Sequence, residues 1–414
     1  MNTIKTTYKS LSEYVKSFIK WIVISIIVGC AGGIIGSVFH LSIDYVTEMR
    51  QKNLYIILLL PLGGIIITAM YNFFRSKGKI DTNCVIAAAQ EDRKVPFVMM
   101  PLIFASTVIT HFFGGSAGRE GAALQLGGSL GYNIGRCFKL DEKDLHLIVM
   151  SGMSGVFSAL FGTPLTATIF SLEVIAVGNI RYAGLVPCLV SALSAYGIAM
   201  LFGISSVRFE DIIIQAFSVE STIKVVILAA LCAVISIVFC VAIKKSEHYA
   251  EKLLSNSYLK AFVGGLIVVV LTFLLNTTDY NGAGMDIISQ AIHGNAKPEA
   301  FVLKIIFTAI TISAGFKGGE IVPTFFIGST FGCVMAPILG LDASFGAAIG
   351  FVALFCGMVN CPIASIILAM EVFGAESILL FALACGVTFM LSGNFSLYDS
   401  QRMVFSKIRD EYLN

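Results

Sequence analysis

An all-α polytopic membrane protein made of two related halves is the fold this sequence predicts, and three observations carry the prediction. Of its 414 residues, 57% are hydrophobic and only 13% charged, against about 25% charged in soluble domains. Apolar runs of about 20 residues, long enough to cross a bilayer as helix, recur along the chain. A glycine-rich turn in the first half, Gly114-Gly115-Ser116-Ala117-Gly118-Arg119-Glu120-Gly121, is answered in the second by Gly318-Gly319-Glu320-Ile321-Val322-Pro323-Thr324.

In chain order, residues 1–20 carry Lys5, Lys9, Lys16 and Lys20, and a long apolar run from Trp21 to about Ile43 follows. The run is too long for a signal-peptide core and reads as the first membrane helix. The lysines place the N-terminus in the cytoplasm. A charged connection at 44–53 leads to a second span from Leu54 to about Phe74, then to a basic loop at 75–79. Asp81-Thr82-Asn83 is an N-cap cluster opening a helix too short to span. A span from Val95 to Phe113 rises into the first glycine turn. The helix after Glu120 is followed by a charged loop at 139–144, two apolar stretches (147–161 and 164–177), a span at 183–203, and a polar connector at 205–220.

The second half opens with spans at about 222–243 and 260–275. A polar loop at 276–297 is read as a lid or outer loop. Residues 301–315 rise into the second glycine turn, and the stretches 320–339, 345–358, 362–373 and 377–392 are apolar again. Pro164 to Glu173 and Pro362 to Glu371 repeat the same spacing within similar apolar contexts, so the halves are related. The expected boundaries are a cytoplasmic segment 1–20, a transmembrane domain 21–400 with halves of about 21–220 and 221–400, and a short cytoplasmic tail 401–414.

The glycine turns carry the chemistry. A helix N-terminus presents unpaired backbone N–H groups and the positive end of the helix dipole, and so binds anions without a fixed cation. Glycine lets the backbone itself approach the ion. Inside a membrane such a helix start must line a cavity or be buried in protein. Paired broken helices in two halves of one chain mark a transporter site. Glu120, an ionisable residue between apolar flanks, is a functional candidate by default.

Other classes find little support. The net charge of +2 is too small for a nucleic-acid partner. Ten cysteines lie scattered with no C-x-x-C, and five histidines lie far apart, so neither a metal site nor a disulfide framework nor a cofactor is expected. No Ser/His or Cys/His constellation points to an enzyme. A cation transporter is disfavoured because helix N-termini, not carbonyl ends, face the proposed site.

These residues resemble the CLC family of chloride channels and proton-coupled anion antiporters over nearly the whole chain. Gly118-Arg119-Glu120-Gly121 resembles the family's G-[KR]-E-G-P turn, with Ala122 in the proline place. Gly318-Gly319-Glu320-Ile321-Val322-Pro323 resembles its G-x-F-x-P segment, and Tyr398 resembles the tyrosine that reaches the ion. The resemblance implies a CLC-type inverted repeat of tilted and broken helices in the cell membrane. It also implies a homodimer with one ion pathway per subunit and cytoplasmic termini. With the sequence ending soon after Tyr398, the cytoplasmic CBS pair of many members is not expected. By the same resemblance Glu120 is the gate. Its carboxylate occupies an anion site when ions are absent and takes up a proton when it swings away. Asp81, Thr82, Gly118, Arg119, Gly121, Ile321, Val322 and Tyr398 are the expected anion-binding positions.

The departures from the family pattern are informative. The G-S-G-I-P place reads Gly78-Lys79-Ile80-Asp81-Thr82-Asn83, without serine or proline. The inner proton-transfer glutamate of chloride-type antiporters falls at Val174. Glu320 adds a second acid beside the ion path. That combination is similar to the fluoride-specific branch, whose members exchange fluoride for protons, although Val322 stands where a threonine is expected. The expected function is therefore a proton-coupled antiporter exporting fluoride or chloride, with Glu120 and Glu320 coupling the fluxes. The alternative is a chloride-selective antiporter or passive chloride channel of the same fold.

Plainer roles stand beside these. Glu120 as a surface charge is opposed by its apolar flanks. Glu320 and the Asp81–Thr82 pair also suit helix caps, Tyr398 an interfacial anchor, and Arg119 a counter-charge to Glu120. Glu173 and Glu371 are expected to hold helix ends or salt bridges rather than carry protons. Gly127, Gly131, Gly328 and Gly332 are expected to allow close helix packing.

Overall fold

The computed structural model describes residues 2–74, 81–209, 212–213, 215–409 and 411–413, with side chains from Leu11 onward. The expected basic loop at 75–79 and the Gly78–Ile80 stretch lie outside the described residues. The helices of the first half are α1 (Asn2–Lys52), α2 (Leu60–Phe73), α3 (Thr82–Ala88), α4 (Met99–Phe112), α5 (Glu120–Cys137), α6 (Glu142–Phe161), α7 (Pro164–Glu173) and α8 (Leu185–Leu201). Those of the second half are α9 (Val219–Leu253), α10 (Ser257–Leu274), α11 (Met285–Ile292), α12 (Ala300–Ser313), α13 (Ile321–Ile338), α14 (Ala343–Val359), α15 (Pro362–Phe373) and α16 (Ile378–Leu391). Short 3-10 turns at Leu54–Leu59 and Tyr182–Gly184 lead into α2 and α8, and two short parallel strands, β1 (Ala176–Val177) and β2 (Arg402–Met403), pair with each other.

Helix for helix, the second set repeats the first. Both α5 and α13 have 18 residues. Both α6 and α14 start on an aspartate: Asp141 Oδ1 accepts from Asp144 N at 2.8 Å, and Asp342 Oδ1 from Ser344 N at 2.8 Å. Each supplies one of the N–H groups that a helix start leaves unpaired. Both end on a left-handed residue, Gly162 (φ 67°) and Asn360 (φ 55°), before a helix that opens on Pro164 or Pro362. Proline suits the first turn because its missing N–H would have no partner there.

The halves are inverted relative to one another. Glu173 ends α7 and accepts from Ile363 N (3.2 Å) and Ala364 N (2.9 Å) at the start of α15. Glu371, near the end of α15, accepts from Leu165 N (3.0 Å) and Thr166 N (2.8 Å) at the start of α7. Each carboxylate thus sits on the positive end of the other helix, the favourable place for a negative charge, and the two helices run antiparallel. The expected role of both glutamates at helix ends agrees with these contacts.

Glycine sets the packing around the centre. A Cβ at Gly152 on α6 would fall 3.0 Å from Gly131 N on α5, and one at Gly350 on α14 would fall 3.1 Å from Gly332 Cα on α13. No side chain fits between these backbones, so the pairs close on each other in the small-residue manner of membrane helices. The apolar window of α6 is 83% buried and that of α13 78%, whereas those of α2 and α10 are 33% buried. The glycine-rich helices and their partners therefore form the core, and α2 and α10 face outward.

Several elements depart from the expectations. The first helix does not stop at Ile43. It continues through the charged stretch to Lys52 and starts within the supposed N-terminal segment, because polar ends of a long helix need only reach water. At 51 residues it is roughly 75 Å long at 1.5 Å per residue, well beyond the membrane core. The polar loop at 276–297 contains α11, which starts at Gly284 in the left-handed region (φ 82°) and buries Ile288, Ala291 and Ile292. The polar tail is not loose: β2 pairs with β1, Ala176 opposite Arg402 and Val177 opposite Met403, and Lys407 Nζ donates to Asn360 and to Ser392 Oγ.

Candidate functional site

The two glycine turns meet backbone to backbone. Gly118 N donates to Gly319 O at 2.6 Å and Gly319 N to Gly118 O at 2.7 Å, a single antiparallel bridge. Threonines of the preceding helices lock the crossing. Ser116 N donates to Thr311 Oγ1 (3.1 Å), and Lys317 N donates to Thr110 Oγ1 (3.3 Å). The same sequence offset relates Thr110 to Thr311, Ser116 to Lys317 and Gly118 to Gly319, so the inversion axis passes through this crossing. From it α5 and α13 depart with their N-termini side by side. A Cβ at Gly121 would lie 2.9 Å from Gly319 Cα, so the approach requires glycine there.

Glu120 is wholly buried at this junction. Its Oε2 accepts from Arg119 N at 2.9 Å, and the Val322 amide, in the first turn of α13, also faces the carboxylate. Its Oε1 has no hydrogen-bond partner among the described residues. The side chain therefore sits between two helix starts, in the position an anion would take. Arg119 Nε lies 3.8 Å from Oε1, but Arg119 Nη1 reaches away to Asp44 Oδ1 on α1 at 2.9 Å, and His40 Nε2 meets the same aspartate at 3.0 Å.

On the other side of the crossing lies a cavity of about 420 Å³ lined by Thr82, Gln125, Lys317, Glu320 and Tyr398, among others. Glu320 Oε2 is 3.5 Å from where a Cβ on Gly121 would stand, which puts the second acid beside the same junction. Tyr398 is 3% exposed, and its hydroxyl has no hydrogen-bond partner among the described residues. Its charge environment includes both Glu320 and Glu120. The Gln125 Oε1 is likewise buried and unpartnered, while Gln125 Nε2 donates to Thr82 Oγ1 at 3.1 Å. Buried polar atoms without partners are uncommon in folded proteins. Here they face a space able to hold an ion or water.

The segment after α16 holds Tyr398 in place. Tyr398 N donates to Ser396 Oγ (3.1 Å), Ser396 Oγ to Gln401 Oε1 (2.7 Å), and Gln401 Nε2 to Val359 O (2.7 Å). From α3 and the turn after it, Asn83 Oδ1 accepts from Ser400 N (3.0 Å), and Gln90 Nε2 bridges Ser400 O and Ile175 O. An irregular segment is thereby tied to both halves.

Glu120, Glu320, Gly118, Gly121, Ile321, Val322, Thr82 and Tyr398 thus come together. Arg119 contributes its backbone amide while its guanidinium turns to Asp44. Asp81 lines the cavity and caps α3, its Oδ1 accepting from Cys84 N at 2.9 Å. Val174, the residue just after α7, is buried and has no ionisable group. Sequence reasoning missed Gln125 and Lys317. Gln125 was detectable as an amide one turn after Gly121 within the apolar first turns of α5, and Lys317 as a charge inside the second glycine turn.

The chain matches the family described as "Voltage gated chloride channel" over residues 63–393. A chloride/fluoride channel protein of Pseudomonas syringae pv. tomato is 35% identical over 398 residues, covering 94% of this chain and 87% of the relative. The crystal structure of a CLC-type fluoride/proton antiporter superposes with a TM-score of 0.90 at 29% identity, covering 93% of this chain and 98% of the other. A slow cyanobacterial Cl⁻/H⁺ antiporter shares the fold, with a TM-score of 0.76 at 20% identity over 90% and 94% of the two chains. Fold and site together define an integral membrane protein with two helix starts paired at a buried junction. The protein is a member of the voltage gated chloride channel family, the CLC family.

Proposed function

We propose that this protein is a proton-coupled anion antiporter that exports fluoride, with Glu120 as gate. The observation that carries the reading is the Glu120 carboxylate lodged at the two helix starts, where it receives the Arg119 amide and faces that of Val322. A carboxylate and a halide compete for such a site, and protonation removes the charge that holds the carboxylate there. Ion movement one way and proton movement the other are then linked through one side chain. Asp81, Thr82, Gly118, Arg119, Gly121, Ile321, Val322 and Tyr398 are assigned to the anion path, with Glu320 a second proton station.

Fluoride is favoured over chloride for two reasons. A fluoride/proton antiporter at 29% identity and a relative named as a chloride/fluoride channel are among the similar proteins. Glu320 also stands beside the ion path, and its carboxyl, when protonated, donates a hydrogen bond to the strongest halide acceptor. Backbone amides, the Tyr398 hydroxyl and this acid together replace the hydration shell, as filters do elsewhere. We further assign the protein to the cell membrane as a homodimer with cytoplasmic termini.

The test is efflux from proteoliposomes loaded with potassium fluoride or potassium chloride, with external pH recorded. Fluoride efflux that draws protons inward and outpaces chloride supports the reading. Faster chloride efflux with matched proton uptake keeps the exchanger and overturns the fluoride preference. Anion efflux without proton movement makes the protein a channel.

A further inference from the structure

Helix α5 carries a glutamine where its neighbours are apolar. Ala122, Ala123, Leu124 and Leu126 are buried, and Gln125 among them is 4% exposed. A buried amide costs free energy unless its polar atoms are paired. Gln125 Nε2 donates to Thr82 Oγ1 at 3.1 Å, but the buried Oε1 has no partner among the described residues. Tying α5 to α3 does not account for the residue. Half of the amide goes unused in that role, and α3 already has its cap in Asp81, which accepts from Cys84 N at 2.9 Å. Gln125 lies one turn beyond Gly121, on the same side of α5. It lines the cavity together with Thr82, Glu320 and Tyr398. The Tyr398 hydroxyl is a second buried atom there with no partner among the described residues. Two such atoms, one from each half of the chain, mark a place for a small polar guest.

We propose that Gln125 is an anion ligand and a determinant of fluoride preference, donating its amide N–H to the ion from the α5 side of the cavity. The proposal rests on the anion path of the transport reading and does not depend on proton coupling. A glutamine amide has donors at one end and an acceptor at the other, and turning it about its last torsion exchanges them with little change of shape. In the structure the amino end is spent on Thr82, whose hydroxyl in turn reaches only to Gly121 O, at 3.4 Å. Once the amide turns, the Thr82 hydroxyl donates to Oε1 and the amino end faces the cavity. Each polar atom of the pair then has a use: Thr82 holds the carbonyl end, and the ion takes the amino end. A neutral donor suits this role. Its bond strengthens with the acceptor, so it favours fluoride over the larger and weaker acceptor chloride. It also adds no fixed charge that would keep the ion from leaving.

The experiment measures fluoride and chloride efflux, with proton uptake, from proteoliposomes loaded with a series of potassium fluoride or potassium chloride concentrations. Wild type, Gln125→Met, Thr82→Val and the double variant are compared. Methionine is close to glutamine in length and offers no donor. Gln125→Met is expected to raise half-saturation by fluoride about tenfold, the scale of one hydrogen bond to a charged partner, and that by chloride clearly less. Thr82→Val is expected to raise half-saturation by fluoride too, and the double variant to show less than the combined effect, because Thr82 acts through the amide. Wild-type half-saturation by fluoride in Gln125→Met overturns the proposal. So does an equal rise for both halides, which makes the residue a matter of cavity shape. Fully additive effects also overturn it, since Thr82 then acts apart from the amide. Should Gln125→Met not be obtained monodisperse, Thr82→Val decides alone: a rise selective for fluoride supports the proposal, and an unchanged or equal response overturns it. A wild type that moves no fluoride defeats the transport reading itself, before any variant is compared. One that moves fluoride without protons defeats only the exchanger, and the comparison of variants stands.

Discussion

At Gly121 a methyl group would stand 2.9 Å from Gly319 Cα and 3.5 Å from Glu320 Oε2, so the junction tolerates no side chain there. Gly121→Ala is expected to part the two helix starts, abolish transport, and cost about 1–3 kcal/mol of stability as an overpacked site. Transport at the wild-type rate in that variant would mean that the anion does not pass this crossing. Tyr398 is a milder case. Its hydroxyl has no partner among the described residues, so Tyr398→Phe removes a group offered to the ion and little else. A hydrogen bond to a charged partner contributes about 1.5–3 kcal/mol, so half-saturation by fluoride is expected to rise at least tenfold with thermal stability unchanged. Unchanged half-saturation would place the hydroxyl off the path.

Among the elements, the antiparallel pair α7 and α15 separates structural acids from working ones. Glu173 and Glu371 each take two backbone amides at the start of the opposite helix. Glu371→Ala leaves those of Leu165 and Thr166 without their cap. It is expected to lower stability by about 1–2 kcal/mol, the range for a lost N-terminal cap, read as a lower temperature of thermal aggregation in detergent, with the proton-to-anion ratio intact. Loss of coupling without loss of stability would move Glu371 onto the proton route. This pair also shows what sequence does and does not reveal. The repeated proline-to-glutamate spacing was visible in the chain, and so were the glycine turns and Glu120, because each is a local pattern. The reciprocal capping was not, since it depends on the halves being inverted. Helix α11 was hidden because a short amphipathic helix starting at a left-handed Gly284 reads as a polar loop. Gln125 was passed over because a single amide barely alters an apolar run, and the β1–β2 contact because its strands have two residues each.

For the whole molecule, inversion dictates sidedness. The C-terminal ends of α1 and α9 are related by the repeat, so they must emerge on opposite faces of the membrane. Single cysteines at Gln51 and Glu251, introduced with the exposed Cys137 replaced by serine, are expected to react with an impermeant maleimide from opposite sides of oriented vesicles. Labelling of both from one side would contradict the inverted repeat. The same symmetry brings two helix starts to one point, and there a side chain and an ion compete for the same amides. The most direct measurement of that claim is simultaneous fluoride and proton flux through Glu120→Gln in proteoliposomes. The account predicts that proton movement vanishes whether or not fluoride still passes, because an amide cannot carry the proton. Proton uptake that still tracks fluoride efflux at the wild-type ratio would contradict it.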